Sequence, residues 1–457
     1  MNHTSDRQDD QFTTTSRNIH FIAIGGAAMH NIALDLHAAG HQVTGSDDEI
    51  YNPSLARLQA AGIAPAQMGW FPERITPALD FVILGMHAKA DNPELIRANE
   101  LNIPVYSYPA YIYEHSRNKK RVVVAGSHGK TTTTAMILHV LRKCNLDCDY
   151  LVGAQLPGFD RMVRLSEAPI IVIEGDEYLS SPIDRVPKIH HYQPHIAVLT
   201  GIAWDHINVF PTFENYVEQF EVFLGMIQAN GLLVYDETDV VLQDITSQPL
   251  MARKVPYSSL PMDDYRNVLW QGKHYPVSVI GRHNFSNMNA ALHVCNELGI
   301  SDDAFFEAIA DFSGAHKRLQ KMEVISGRRV YLDFAHAPSK VKATTQAFCD
   351  WFAGEKIVAV LELHTFSSLN QGYLPEYKNS LQAAPRVVVF IHEHTLKMKN
   401  MPALDIGFVR QCFQHNNLEI ITDTPALHDY LQREEFADAT LLLMSSGTFG
   451  GLDLLKL

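Results

Sequence analysis

The sequence predicts an α/β protein of three domains: a Rossmann-like N-terminal domain, a central P-loop ATPase domain and a C-terminal Rossmann-like α/β domain. Three observations predict it. Short apolar runs recur along the chain, each ending in a glycine-bearing turn before a helix-forming stretch, the alternation that builds parallel sheets. The stretch Arg121 to Thr134, RVVVAGSHGKTTTT, reads as strand, phosphate-cradling loop and helix. The 457 residues suffice for about three domains at roughly 150 residues each.

Met1 to Asn18 is polar, acidic and Thr-rich, without the basic start and apolar core of a secretion signal, so residues 1–18 are expected to be a frayed, disordered tail. Ile19 to Ile24 reads as a strand running into Gly25-Gly26-Ala27-Ala28-Met29. A helical stretch to Ala39 follows, then a stop at Gly40 and a second strand ending Gly45-Ser46-Asp47. This β-turn-α-β unit with an acidic residue after its second strand resembles a nucleotide-binding fold. It is not a dinucleotide fingerprint, because Ile24 stands where the first glycine would be; a tight turn needed only for packing is the alternative. Phe81 to Gly85 is a third strand, and Gly85-Met86-His87-Ala88 a second loop at the same sheet edge. The polar stretch Glu114 to Lys120 closes the first domain, residues 19–118.

The central domain, residues 119–312, opens on the β-branched strand Val122 to Val124. Its loop departs from GxxxxGK[ST] in having Val124 where the first glycine belongs, yet it ends Gly129-Lys130-Thr131 before a helix. Glycines let backbone N–H groups approach phosphates, Lys130 can reach the terminal phosphates, and the Thr131 hydroxyl can ligate Mg²⁺. A tight turn with a surface lysine is the bland alternative. The strand Pro169 to Ile173 ends at Glu174-Gly175-Asp176-Glu177, where an α/β domain places metal ligands and where solvated acids are also common. His195 to Thr200 is a further strand, leading to Asp205-His206. Gly281 to Ala291, GRHNFSNMNAA, gathers amides at a helix start, able either to read a base edge or to cap.

The last domain, residues 313–457, carries Lys317-Arg318, a strand Val330 to Phe334 containing Asp333, and the turn Ala335-His336-Ala337-Pro338. Strands Ile357 to Leu361, Val387 to Ile391 and Leu441 to Met444 follow, and the chain closes on Gly447-Thr448-Phe449-Gly450-Gly451.

Composition bounds the function classes. With 46% apolar and 19% charged residues the chain is ordinary for a soluble globular protein. A net charge of -14 excludes a non-specific polyanion binder, so no nucleic-acid partner is expected and anions must be held by local devices. Five cysteines without CxxC spacing point to a reducing cytoplasm. No apolar run approaches the ~20 residues of a membrane span, so no membrane insertion is expected. Nothing in the sequence speaks to oligomeric state.

Taken together, these landmarks resemble the Mur ligase family across nearly the whole chain. That family's ATP loop GTHGKTTT is matched by Gly126-Ser127-His128-Gly129-Lys130-Thr131-Thr132-Thr133, its Glu-Ala-Asp-Glu by Glu174 to Glu177, and its GxHNxxNxxAA signature by Gly281 to Ala291. The resemblance implies ATP and Mg²⁺ as cofactors. Gly126 through Thr132 would hold ATP, with Asn287 on the adenine, Arg318 on the γ-phosphate and Asp333 touching the nucleotide from the third domain. Thr131, Glu174 and His206 would hold magnesium; Lys130, His206 and Arg318 would carry the catalysis. Gly25, Gly26, Ala27, Ala28 and Met29, with Ser46, Asp47 and His87, would bind a UDP-sugar. The implied activity is ATP-dependent amide ligation of UDP-N-acetylmuramate to a murein tripeptide, L-Ala-γ-D-Glu-meso-diaminopimelate, in peptidoglycan recycling. The alternative acceptor is L-alanine, as in peptidoglycan biosynthesis. Gly45-Ser46-Asp47 with Tyr51 and Pro53, Glu177-Tyr178 with His191-Tyr192, and the terminal Met444 to Gly451 favour the tripeptide branch. Glu362-Leu363-His364-Thr365 departs from that branch's Glu-Pro-Arg-Ser, and His364-Thr365-Phe366-Ser367 leans toward the alanine branch. Residues 207 to 230 hold no lysine to serve as the carbamoylated metal ligand of several relatives.

Overall fold

The computed structural model describes residues 16–156, 158–204, 209–263, 267–314, 318–322 and 324–457. The first strand, β1 (Asn18–Ile22), pairs in parallel with β2 (Gln42–Ser46) and β3 (Phe81–Leu84). Adding β4 (Val105–Ser107) gives the order β2-β1-β3-β4. Asn18 therefore belongs to the sheet. Arg17, just before it, has its guanidinium 3.0 Å from Asp80. Between β1 and β2 lies α1 (Ala27–Ala38), whose buried face includes Met29, Ile32, Ala33 and Leu36, the spacing of one helix side.

The second sheet is the largest. Its strands are β5 (Lys120–Ala125), β6 (Asp149–Leu151), β7 (Val163–Arg164), β8 (Ile170–Glu174), β9 (Ile196–Leu199), β10 (Leu232–Asp236) and β11 (Arg253–Tyr257). The spatial order is β11-β10-β9-β5-β8-β6-β7, with β5 at the centre and parallel to both neighbours. Val122, Val123 and Val124 are fully buried, which is why this strand reads as an unbroken apolar run and not as an alternation.

Along the chain α2 (Lys130–Lys143) follows β5, α3 (Phe213–Gly225) precedes β10, and α4 (Arg282–Glu297) starts at Gly281. The third sheet takes β14 (Gln320–Met322), after the short hairpin β12 (Val268–Trp270) and β13 (Lys273–Tyr275). It continues with β15 (Val330–Asp333), β16 (Ile357–Glu362), β17 (Arg386–Phe390), β18 (Leu418–Ile421) and β19 (Thr440–Met444), in the order β14-β15-β19-β16-β17-β18. Only β14 runs antiparallel to its neighbour among the pairings of this sheet. Both its faces are buried: Ala359 and Leu361 enter one apolar cluster, Val358 and Val360 the other. The helix α5 (Pro338–Trp351) contributes Val341 and Phe348 to the first.

By contacts the chain divides into two compact units. One comprises Met1–Gly126, Val140–Gly201 and Val217–Pro256; the other comprises Ser127–His139, Ile202–Tyr216 and Tyr257–Leu457. The first unit joins the first and second sheets for a visible reason. Asp35 of α1 accepts the Leu165 N–H at 2.8 Å, and Arg161 lies 3.3 Å from the same carboxylate. Further along the chain, buried Arg121 donates to the carbonyls of Ser116, Arg117 and Tyr192, so the segment leading into β5 is fastened on both sides. No helix among the described residues is long and apolar enough to cross a membrane.

Candidate active site

The loop between β5 and α2 is shaped by two glycines in the left-handed region, Gly126 at φ +117° and Gly129 at φ +78°. Each is also required by packing. A Cβ on Gly126 would lie 2.6 Å from Thr200 Oγ1 and 2.8 Å from Thr200 N, and one on Gly129 would collide with Asn287 Oδ1. Thus the structure brings Asn287 of α4, 7% exposed, against the backbone of the phosphate loop. The first turn of α2 closes through the Thr133 N–H to the Gly129 carbonyl at 2.8 Å. Lys130 and Thr131 accordingly occupy the helix N-terminus, where the dipole favours anions.

Ser127 has an internal job. Its hydroxyl accepts the Ala203 N–H at 2.8 Å and lies 2.9 Å from the phenol of fully buried Tyr216. The His128 ring, at Nε2, is 2.6 Å from Ser339 Oγ at the start of α5. Neither Tyr216 nor Ser339 was legible in the sequence, since each stands far along the chain from the loop in no motif.

Glu174 ends β8, and its Oε2 accepts the Gly153 N–H at 2.8 Å. Asp205 and His206 lie outside the described residues. Among the described residues there is no group of three or more His, Cys, Asp or Glu able to hold a metal. The donor types expected at Thr131 and Glu174, a hydroxyl and a carboxylate, are hard oxygens. These suit Mg²⁺, which keeps waters and takes its remaining ligands from phosphates.

Arg318 stands two residues before β14. The guanidinium carbon sits 5.2 Å from the centre of the Phe334 ring. Asp333, 4% exposed, has both carboxylate oxygens occupied within its own domain, by the N–H groups of Leu319 and Ala335 and by the Thr344 hydroxyl. Burial pushes the His283 imidazole below its usual value; the Asp333 charge raises it and the Arg318 charge lowers it.

In the first sheet, the turn after β1 spans Ala23 to Gly26. The helix begins at Ala27, so Ala27, Ala28 and Met29 of the expected loop are helical and Met29 is 3% exposed in the core. Gly25 donates its N–H to Asp47 Oδ2 at 2.7 Å, and a Cβ there would meet that oxygen and Ile50 at 2.9 Å. Burial pushes the Asp47 carboxyl up to about 6, against the Gly25 hydrogen bond. Ser46 is fully buried and accepts from Arg74 at 2.9 Å, whereas His87 is exposed in the turn after β3. Asp47 thus braces the turn, and Gly25, Gly26, Ser46, Asp47 and His87 all end or follow strands at the C-terminal edge of this sheet.

Three parallel-dominated sheets, with a glycine-bent loop leading from the central strand of the largest into a helix, define an α/β phosphate-loop protein. Residues 18–120 match the family model "Mur ligase family, catalytic domain", and residues 124–295 match "Mur ligase middle domain". A UDP-N-acetylmuramate–L-alanine ligase of Desulforamulus reducens is 32% identical over 379 residues, 79% of this chain and 80% of that one. The UDP-N-acetylmuramate–L-alanyl-γ-D-glutamyl-meso-2,6-diaminoheptandioate ligase of Escherichia coli is 28% identical over 449 residues, 95% of this chain and 96% of that one. A crystal structure of a murein peptide ligase from Psychrobacter arcticus superposes with a TM-score of 0.68 at 22% identity, covering 96% of this chain and 97% of the other, which speaks for the fold. The chain belongs to the Mur ligase family. It is an ATP-dependent amide ligase of the ADP-forming kind.

Proposed function

We propose that this enzyme joins UDP-N-acetylmuramate to the murein tripeptide L-Ala-γ-D-Glu-meso-diaminopimelate, in peptidoglycan recycling in the cytoplasm. The observation that carries this reading is the extent of likeness. Tripeptide-ligase relatives align over 95% and 96% of the chain, against 79% for the L-alanine ligase of Desulforamulus reducens. A second reading, ligation of L-alanine, is favoured by the higher identity of that relative, 32% against 28%, and by His364-Thr365-Phe366-Ser367.

A carboxylate resists amines at neutral pH because its leaving group would be oxide. In the proposed route the lactyl carboxylate oxygen attacks the γ-phosphorus, the bond to ADP breaks, and an acyl phosphate forms. The acceptor amine then attacks the acyl carbon and phosphate departs with its electron pair. Two anions meet in the first step, so the protein must supply preorganised positive charge. Lys130, at the N-terminus of α2, and Arg318 would take that role, and Asn287 would read the adenine. Thr131, Glu174 and His206 would hold Mg²⁺, which neutralises phosphate charge when bound. The UDP-sugar would lie against the Gly25-Gly26 turn and His87.

Purified enzyme supplied with UDP-N-acetylmuramate, ATP and either acceptor separates the readings by ADP release. The tripeptide reading expects turnover with tripeptide and at least ten times less with L-alanine, about 1.4 kcal/mol of discrimination. The reverse preference assigns the biosynthetic reaction.

A further inference from the structure

The turn at the C-terminal end of β1 is fixed from two sides. Ala23 stands at φ +66°, a left-handed conformation that a residue with a Cβ keeps only where its surroundings hold it there. From the β2 side, the Ser46 carbonyl accepts the N–H groups of Ala23 and Ile24 at 2.9 and 3.1 Å, and Asp47 Oδ2 accepts that of Gly25 at 2.7 Å. These bonds grip the turn by its donors. Gly26, the residue before α1, has no side chain with which to cap the helix, and its carbonyl is held from the helix side. Buried His30, in the first turn of α1, brings Nδ1 within 2.9 Å of the Gly26 oxygen and 3.2 Å of the hydroxyl of buried Ser54.

The partners of this imidazole fix its protonation. A carbonyl can only accept, so Nδ1 carries the proton. Nε2 lies 3.1 Å from the amide nitrogen of buried Asn31. That nitrogen also donates to the Ala27 carbonyl at 2.8 Å, while Asn31 Oδ1 takes the N–H of Met162, the residue before β7, at 3.4 Å. Both ends of the amide are thereby assigned. Nε2 is an acceptor, and a second proton on the ring would set donor against donor. Burial pushes the imidazole below its usual value, against the Gly26 hydrogen bond and together with the Arg57 charge. A neutral histidine in a single tautomer is thus clamped between a glycine turn and an anchored amide.

We propose that His30 is a positioning residue for the UDP-sugar: as the neutral Nδ1–H tautomer it holds the Gly26 carbonyl, and so keeps the Gly25-Gly26 turn in the shape that receives this ligand. The inference rests on the placement of the UDP-sugar under the proposed function. The ring nitrogens, both engaged by protein partners, act through the turn and not on the ligand. Because the bond that counts comes from the Nδ1 position, an asparagine amide can supply it, whereas an aliphatic side chain of similar bulk cannot.

The test is calorimetry on the full-length enzyme, first with a non-hydrolysable ATP analogue and then with UDP-N-acetylmuramate added to the analogue-saturated protein. His30→Leu should weaken UDP-N-acetylmuramate about tenfold and leave the analogue within about twofold, while His30→Asn should hold UDP-N-acetylmuramate within about threefold of wild type. Unchanged UDP-N-acetylmuramate affinity in His30→Leu would overturn the inference. So would an equal loss in His30→Asn, since the donor would then not be what counts, or an equal weakening of both ligands, which would make His30 a matter of general stability. Gly25→Ala separates the inference from the reading beneath it. A Cβ there meets Asp47 Oδ2 and Ile50 at 2.9 Å, so the turn must shift and UDP-N-acetylmuramate should weaken. If Gly25→Ala leaves that affinity intact, the ligand lies elsewhere, and the placement falls together with the inference; if Gly25→Ala weakens it and His30→Leu does not, the inference falls alone. Should His30→Leu fail to fold, ¹⁵N NMR of histidine-labelled enzyme at neutral pH decides. The wild-type signal that is missing from His30→Asn should show the neutral Nδ1–H tautomer and should shift when UDP-N-acetylmuramate is added. An Nε2–H tautomer, an imidazolium, or a signal indifferent to UDP-N-acetylmuramate would count against the inference.

Discussion

Under the proposed function, Lys130 is the residue on which turnover would depend most. It sits at the first position of α2, where side-chain charge and helix dipole add. Lys130→Ala should reduce ADP release by about 10²-fold or more with either acceptor, since one preorganised charge of this kind is worth that much; turnover within a few fold of wild type would remove the lysine from the mechanism. Gly129 makes a different demand. Its left-handed φ and the approach of Asn287 Oδ1 leave no room for a methyl group, so Gly129→Ala should displace either the loop or Asn287. The expected result is a loss of ATP-analogue affinity of about tenfold or more, or roughly 1.4 kcal/mol. Asp47 provides a pH signature. Its folded value, about 6, lies above the unfolded value near 3.9. Its stabilising contribution is therefore whole below about pH 4 and is lost as the pH rises through about 6. Asp47→Asn should gain about 1–3 kcal/mol over wild type between pH 4 and pH 8 in urea unfolding. A difference that does not vary with pH would show that burial does not strain this carboxyl.

At the scale of elements, the phosphate loop is held in place by side chains from distant segments. Ser127 bonds Ala203 and Tyr216 in a buried setting. Ser127→Ala removes the acceptor of the Ala203 N–H and a hydrogen-bond partner of the Tyr216 phenol, and should cost about 1–3 kcal/mol in thermal unfolding. Tyr216→Phe, which leaves Ser127 its bond to the Ala203 N–H, should cost less. Strands and loops of this kind were largely legible. Val122 to Val124, Ile357 to Leu361 and Leu441 to Met444 are buried on both faces and so read as unbroken apolar runs, and Gly126 and Gly129 announced the turn between β5 and α2. What was not legible has physical causes. The helix after Gly26 starts at once, because nothing in Ala27-Ala28-Met29 resists helical dihedrals, so the expected five-residue loop shrinks. The service of Asp333 to Leu319, Ala335 and Thr344 depends on a turn and a helix that no local pattern announces. Tyr216 and Ser339 reach the loop only through tertiary structure.

Across the whole molecule, a net charge of -14 supplies no attractive overall field for anions, so under the proposed function phosphates would be met by a few localised cations and helix N-termini. Family membership fixes the reaction class, whereas the acceptor follows from finer features. The central claim is that ATP is consumed to activate the muramoyl carboxylate for attack by the tripeptide amine. Its most direct test follows ADP and the amide product together in one reaction containing UDP-N-acetylmuramate, MgATP and tripeptide. The account predicts one ADP per amide formed, with product lost when ATP is omitted and strongly reduced when L-alanine replaces tripeptide. Amide formed without ADP, or faster turnover with L-alanine, would contradict it.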